Sequence, residues 1–145
     1  MKREEDLKLW KKAEHEFASI LIMSGKVTWW EEPEWKFSDY DMKLKSEKWD
    51  FTVEVKNDNV RPNTKRVWIE YECKGVPSWI AVSKADYYVY KLWDDFRMTP
   101  RSRLIHLLLT SKTKQERQWG DDWTAKLWII PEWEFYSIAN KIWRD

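Results

Sequence analysis

The stretch KFSDYDMKLKSEKWDFTVEVKND, residues 36–58, decides the fold. Its side chains alternate with period two, the signature of strands. Phe51, Val53 and Val55 point one way; Thr52, Glu54, Lys56 and Asp58 point the other. Asp39, Asp41 and Lys43 share a face opposite Tyr40, Met42 and Leu44. The pattern predicts a β-hairpin with strands over 37–45 and 49–57, joined around Ser46–Lys48. A turn centred on Glu47–Lys48 sets Asp41 directly across from Glu54. Opposed carboxylates repel and destabilise an ordinary sheet. Lys56, next along the row, offsets part of that repulsion, and a divalent cation between the acids would offset the rest.

Outward from the hairpin, residues 3–24 read as a helix, with Leu7, Trp10, Phe17 and Leu21 at helical spacing and Gly25 as the stop. Glu14 falls inside that apolar stripe, where a carboxylate is costly without a partner. Residues 26–36 read as a Trp-Pro loop. Further strands are predicted over 66–74 (RVWIEYECK) and 85–93 (ADYYVYKLW). MTPRSRLIHLLL then reads as a helix with Thr99 as N-cap and Pro100 at its first position. Residues 111–122 read as a polar loop, AKLWIIP as a short strand and EWEFYSIANKIW as a closing helix. The order α-β-β-β-β-α-β-α predicts an α/β fold, a central mixed β-sheet flanked by helices. At 145 residues the chain is expected to be a single domain, residues 1–145.

Lys and Arg number 26 against 25 Asp and Glu, a net charge of +1, so no global field draws a polyanion and any such site is a local patch. One cysteine, Cys73, excludes an internal disulfide and a cysteine-cluster metal site. With only His15 and His106 besides, zinc is poorly supplied, whereas oxygen ligands for a hard cation are plentiful. His15 reads as a surface residue and His106, among leucines, as a satisfied core histidine. The opening MKREEDLKLW has no apolar core of a signal peptide and no run approaches a membrane span, so an intracellular protein is expected. Thirteen tryptophans are an unusual excess. Trp10, Trp49, Trp68 and Trp128 sit in periodic segments and read as core or half-core. Trp29, Trp30, Trp35, Trp119 and Trp123 fall in loop-like stretches, suited to base stacking, a dimer interface or loops folded onto the body.

Paired carboxylates with a lysine two residues on suit metal-dependent phosphodiester cleavage. Two carboxylates hold Mg²⁺, which keeps several waters. The ion polarises the phosphate and acidifies a water, and a lysine on the same face orients that water or offsets charge on the phosphate. The acid-x-lysine triplet is weak by itself: about three are expected by chance, and the chain has five, beginning at Asp6, Glu34, Asp41, Glu54 and Glu72. The hairpin pairing of Asp41 with Glu54 lifts one of them above the rest. A second candidate is IEYECKG, where strand alternation puts Glu70, Glu72 and Lys74 on one face with Trp68. It reads as further site residues or as a solvated edge.

The succession AEHEFA, SDYDMKL, TVEVKND, VWIEYECKGVPSWIAVSKADYYVY and GDDWTAKLWIIP, spanning roughly residues 10–135, resembles small PD-(D/E)XK superfamily nucleases of phage and viral type, with Holliday-junction-resolvase-like relatives. The resemblance implies a restriction-endonuclease-like core, Mg²⁺ or Mn²⁺ dependence and DNA as substrate, cut as junction, duplex, single strand or flap. It implies Glu14 as the helix acid, Asp41 and Glu54 as metal ligands and Lys56 as the catalytic lysine. Ser78, Lys84, Asp86 and Lys126 fall in matched blocks and become secondary or DNA-contacting candidates; Lys65, Arg66, Arg101, Arg103, Lys112, Lys114 and Arg117 would neutralise phosphates. A homodimer and a place in the host-cell cytoplasm, as a viral protein, are part of the same expectation. Trp79 and Trp123 depart from the pattern, which has small residues there. Two other readings stay open: a non-catalytic nucleic-acid- or protein-binding module using tryptophan-rich loops, and a structural subunit without metal affinity.

Overall fold

In the computed structural model, which describes residues 2–33, 40–57, 65–92, 95–119 and 124–142, the hairpin forms with the expected register. Its strands are β2 (Met42–Lys45) and β3 (Asp50–Asn57), after helix α1 (Lys2–Met23) and a short strand β1 (Trp29–Glu31). Met42 faces Val53 and Lys45 faces Asp50, and the ladder ends there: the Asp41 N–H also returns to the Val53 carbonyl, at 2.9 Å, so Asp41 meets Glu54 through its side chain and not through a regular backbone pair. Ser46 closes the turn: its Oγ donates to the Trp49 carbonyl at 2.6 Å and its N–H bonds the same oxygen at 3.1 Å.

Strands β4 (Arg66–Cys73) and β5 (Val76–Pro77), a 3₁₀ turn (Trp79–Ala81), β6 (Tyr87–Leu92), β7 (Asp95–Pro100), helix α2 (Arg101–Thr110), β8 (Gln115–Trp119), β9 (Ala125–Pro131), α3 (Glu132–Tyr136) and β10 (Asn140–Ile142) follow in order. A six-stranded mixed sheet runs β1-β2-β3-β6-β7-β10 and a four-stranded antiparallel sheet runs β5-β4-β9-β8. In the larger sheet β3 and β6 pair in parallel, and the other neighbours are antiparallel.

Helix α1 covers one face of the larger sheet. Ala13, Phe17, Ile20 and Leu21 recur at helical spacing and pack on Met42, Leu44, Val53, Val55 and Val89. Gly25 ends the helix in the left-handed conformation (φ 77°), and the Lys26 N–H returns to the Leu21 carbonyl at 3.1 Å. Because β6 is buried on both faces, its tyrosines serve a second core: Tyr88 and Tyr90 pack with Val67, Ile69 and Ile130 of the smaller sheet, and with Leu104 and Phe135. The other face of the larger sheet is therefore covered by a second sheet together with α2 and α3, not by helices alone.

Five sequence expectations are corrected. The loop over 26–36 contains β1, which extends the hairpin by pairing Trp29 with Lys45. The helix expected from Met98 begins at Arg101; Met98–Pro100 belong to β7, Pro100 is the cap residue, and Thr99 is fully buried and caps nothing. The polar loop over 111–122 contains β8, whose residues Gln115–Gln118 are all exposed, so no apolar alternation marks it. The closing helix stops at Tyr136, and the chain returns as β10 beside β7, where Ile142 faces Phe96. Finally, β4 carries a bulge between Glu70 and Glu72: Glu70 pairs with Leu127 but Glu72 with Lys126. Adjacent residues of β9 point to opposite faces, so Glu70 and Glu72 do too, and the shared acidic face does not form. Among the described residues no helix is long and apolar enough to cross a membrane.

Candidate functional site

Asp41 is anchored at the mouth of the hairpin by two bonds to β3. Its N–H donates to the Val53 carbonyl at 2.9 Å, and its Oδ2 accepts the Val55 N–H at 2.8 Å. Glu54, between those valines and on the opposite face, is 8 % exposed and hydrogen-bonded to the Asp41 carboxyl. Burial and the Asp41 charge push the Glu54 carboxyl up to about 9. Burial also raises Asp41, against the Val55 N–H and the Glu54 bond, which hold it down. Without a cation, Glu54 is therefore the protonated partner at neutral pH, donating to the Asp41 carboxylate.

Glu14 comes from the buried side of α1, 7 % exposed, as its place in the apolar stripe implied. Burial and then the Asp41 charge push it up to about 7. Among the described residues its Oε2 is buried without a hydrogen-bond partner, and the Lys11 ammonium stands 3.7 Å away. Lys11 also bonds Glu32 at 3.0 Å, and Glu32 accepts from His15 at 3.4 Å. Glu32 lies close enough to raise both Glu14 and Asp41. Lys56 is half-buried two residues beyond Glu54, on the same sheet face, opposite Tyr90 of β6. Glu14, Asp41 and Glu54 thus lie within electrostatic reach of one another at one end of the hairpin, and Lys56 follows Glu54 on the same strand.

This donor set fits a hard divalent cation. Asp41 and Glu54 offer carboxylate oxygens, Glu14 adds a buried acceptor beside them, and ionising these acids together requires a counter-charge. Among the described residues no group of three or more His, Cys, Asp or Glu side chains is placed to hold a metal ion, so a cation here would rest on the Asp41 and Glu54 carboxylates alone.

The second candidate set serves structure. Ser78 Oγ donates to Glu70 Oε2 at 2.7 Å, and Lys126 pairs with Glu72 at 3.1 Å. Lys74 sits at φ 53° in the exposed β4–β5 turn. Asp86 ties β6 to β3 by accepting the Thr52 N–H at 2.9 Å and its hydroxyl at 3.2 Å. Lys84 is exposed. Two of the expected phosphate-neutralising residues are engaged inside the protein: Arg101 Nη2 donates to the Ile80 carbonyl at 3.0 Å and Lys114 to the Leu108 carbonyl. His15 is exposed as expected, whereas His106 is exposed on α2 rather than in the core. Trp49 is 60 % exposed at the hairpin turn, not core, and Trp30 packs against the α1 core rather than lying in a loop. Trp35, Asp39, Asp58 and Trp123 lie outside the described residues, as does the Trp79 side chain.

Sequence reasoning missed three site residues: Lys11, Glu32 and Ser83. Ser83, 5 % exposed, donates to Glu54 Oε1 at 3.2 Å. A single serine before a strand carries no periodic signal, and Glu32 follows Glu31 in a run that reads as loop. Comparison with protein-family models, curated proteins and solved structures returns no match.

Proposed function

We propose that this chain is a Mg²⁺- or Mn²⁺-dependent DNA endonuclease on a restriction-endonuclease-like α/β core. The observation that carries the reading is the Asp41–Glu54 pair: a half-buried and a buried carboxyl hydrogen-bonded to each other at the end of the β2–β3 ladder, sharing a proton where a cation would sit. In this reading Asp41 and Glu54 hold the ion, and Glu14 accepts a hydrogen bond from a bound water at its unpartnered oxygen. The cation would polarise the scissile phosphate and lower the pKa of water. Lys56 orients the attacking water and offsets charge that develops on the phosphate. The Val55 N–H fixes Asp41 so that the site is organised before substrate arrives.

The test is cleavage of labelled duplex, single-stranded, flap and four-way-junction DNA with Mg²⁺, Mn²⁺ or EDTA, with Lys56→Ala in parallel. Cation-dependent cutting that falls about 100–1000-fold in the folded variant supports the reading. Absence of cutting on every substrate by folded protein contradicts it.

A second reading, a non-catalytic nucleic-acid- or protein-binding module, draws on the exposure of Trp29, Trp49 and Trp133, at 48, 60 and 66 %. Large exposed aromatics suit stacking or a partner surface. Binding of DNA or a protein without any cutting, unchanged by Lys56→Ala, would favour it.

A further inference from the structure

Ser83 is fixed to a degree that an incidental hydroxyl is not. The segment before β6 is tied down at both ends. Arg101 Nη2 donates to the Ile80 carbonyl at 3.0 Å, and the Arg101 N–H donates to the Asp86 carbonyl at 3.0 Å. Asp86 is bonded to Thr52 of β3, two residues before Glu54. Between these ties Ser83 Oγ accepts the Ala85 N–H at 3.2 Å and donates to Glu54 Oε1 at 3.2 Å. Tyr88, directly beside Glu54 in the parallel register and fully buried, is hydrogen-bonded through its phenol to both Ser83 and Arg101. A polar chain therefore runs Glu54–Ser83–Tyr88–Arg101 through a core otherwise built of apolar side chains.

A hydroxyl has one proton and two lone pairs. With the Ala85 N–H occupying an acceptor site and Glu54 taking the proton, the rotation of the Ser83 hydroxyl is set. The Glu54 side chain, between strands and 8 % exposed, then has a defined partner for one of its two oxygens. Groups that hold a ligating carboxylate in this way set metal affinity, and their removal costs about 10–100-fold.

We infer that Ser83 is a positioning residue, held by Tyr88 and Arg101, that fixes the orientation in which the Glu54 carboxylate meets Asp41 and a divalent cation. The inference rests on the cation site of the proposed function. It adds to the hairpin and α1 two further segments of the chain, the stretch leading into β6 and the start of α2.

The experiment is Mn²⁺ binding by titration calorimetry on the full chain, for the wild type, Ser83→Ala, Tyr88→Phe and Glu54→Gln, each checked for folding by circular dichroism. Ser83→Ala is expected to weaken Mn²⁺ binding about tenfold or more, Tyr88→Phe to weaken it by less, and Glu54→Gln to abolish it. At saturating Mn²⁺ the DNA cleavage rate of Ser83→Ala is expected to return to the wild-type value, which separates positioning from chemistry. Unchanged Mn²⁺ affinity in folded Ser83→Ala overturns the positioning role alone. If that variant does not fold, unchanged affinity in Tyr88→Phe overturns it. A wild type that binds no Mn²⁺ overturns the cation site and this inference with it.

Discussion

At Glu54, strand register creates an electrostatic problem that protonation or a cation must resolve. Burial and the Asp41 charge keep this carboxyl protonated up to about pH 9, and burial with the same neighbour keeps Glu14 protonated to about 7. In the unfolded chain both lose their protons near the ordinary value of 4.5. Between 4.5 and those folded values the native protein binds more protons, so stability falls as pH rises. Glu32 is lowered and acts in the opposite sense, but its side chain is 34 % exposed and its pair with Lys11 is screened. In EDTA the thermal midpoint is therefore expected to be lower at about pH 8.5 than at about pH 5.5, and added Mg²⁺ or Mn²⁺ to raise it most at the alkaline end, where it replaces those protons. A midpoint that is flat, or that rises toward alkaline pH, contradicts this account of the pair. Glu54→Gln keeps the shape and a donor toward Asp41 but has no proton to lose in the unfolded chain. In EDTA at about pH 8.5 it should melt no lower than the wild type, while DNA cleavage falls about 100-fold or more. A loss of stability in that variant would show that the carboxylate itself holds the hairpin together.

Secondary-structure elements differ in how much of them the residues announce. The β2–β3 hairpin was legible because its alternation is strict and the turn around Ser46–Trp49 leaves one good register; just past the end of that ladder the Asp41 side chain bonds the Val55 N–H and Glu54. Helix α1 was legible from its stripe and from Gly25, and the burial of Glu14 followed. The β4 bulge was not legible: the alternation of Glu70 and Glu72 looks regular until an extra residue on one strand reverses the parity. β8 escaped because an edge strand with exposed Gln, Glu and Arg has the composition of a loop. β7 and β10 escaped because each carries few apolar residues, Phe96 and Met98 in one and Ile142 in the other, and pairing with neighbouring strands forms them. The β3–β6 junction, the one parallel pairing of the larger sheet, is clamped by Asp86 through the Thr52 N–H and hydroxyl. Asp86→Ala should cost about 1 kcal/mol in urea denaturation, with the slope unchanged. No change in midpoint would mean that the backbone ladder alone sets this junction.

Across the whole molecule, the second sheet explains where the site lies. It packs through Val67, Ile69 and Ile130 on Tyr88 and Tyr90, covering the β6 side of the larger sheet. The β1–β3 side of that face, with Trp29, Lys43, Lys45 and Asp50, is half-buried to exposed among the described residues. Asp41, Glu54 and Lys56 sit along the border, with Glu54 8 % exposed and Asp41 and Lys56 half-buried. The mixed sheet and α1 were foreseeable from alternation and helical spacing; the second sheet was not, because its β4–β9 pairing joins distant segments and β8 is polar except for Trp119. Net charge of +1 leaves no uniform attraction for DNA, so recognition in this account is local to that border. The most direct test of the central claim, that Asp41 and Glu54 form a divalent-cation site, is an anomalous-difference map from crystals grown with Mn²⁺. The account predicts a peak within about 2.0–2.3 Å of a carboxylate oxygen from each residue, remaining waters completing the shell. An empty position between the two carboxylates at saturating Mn²⁺, or a peak only elsewhere on the protein, would contradict it.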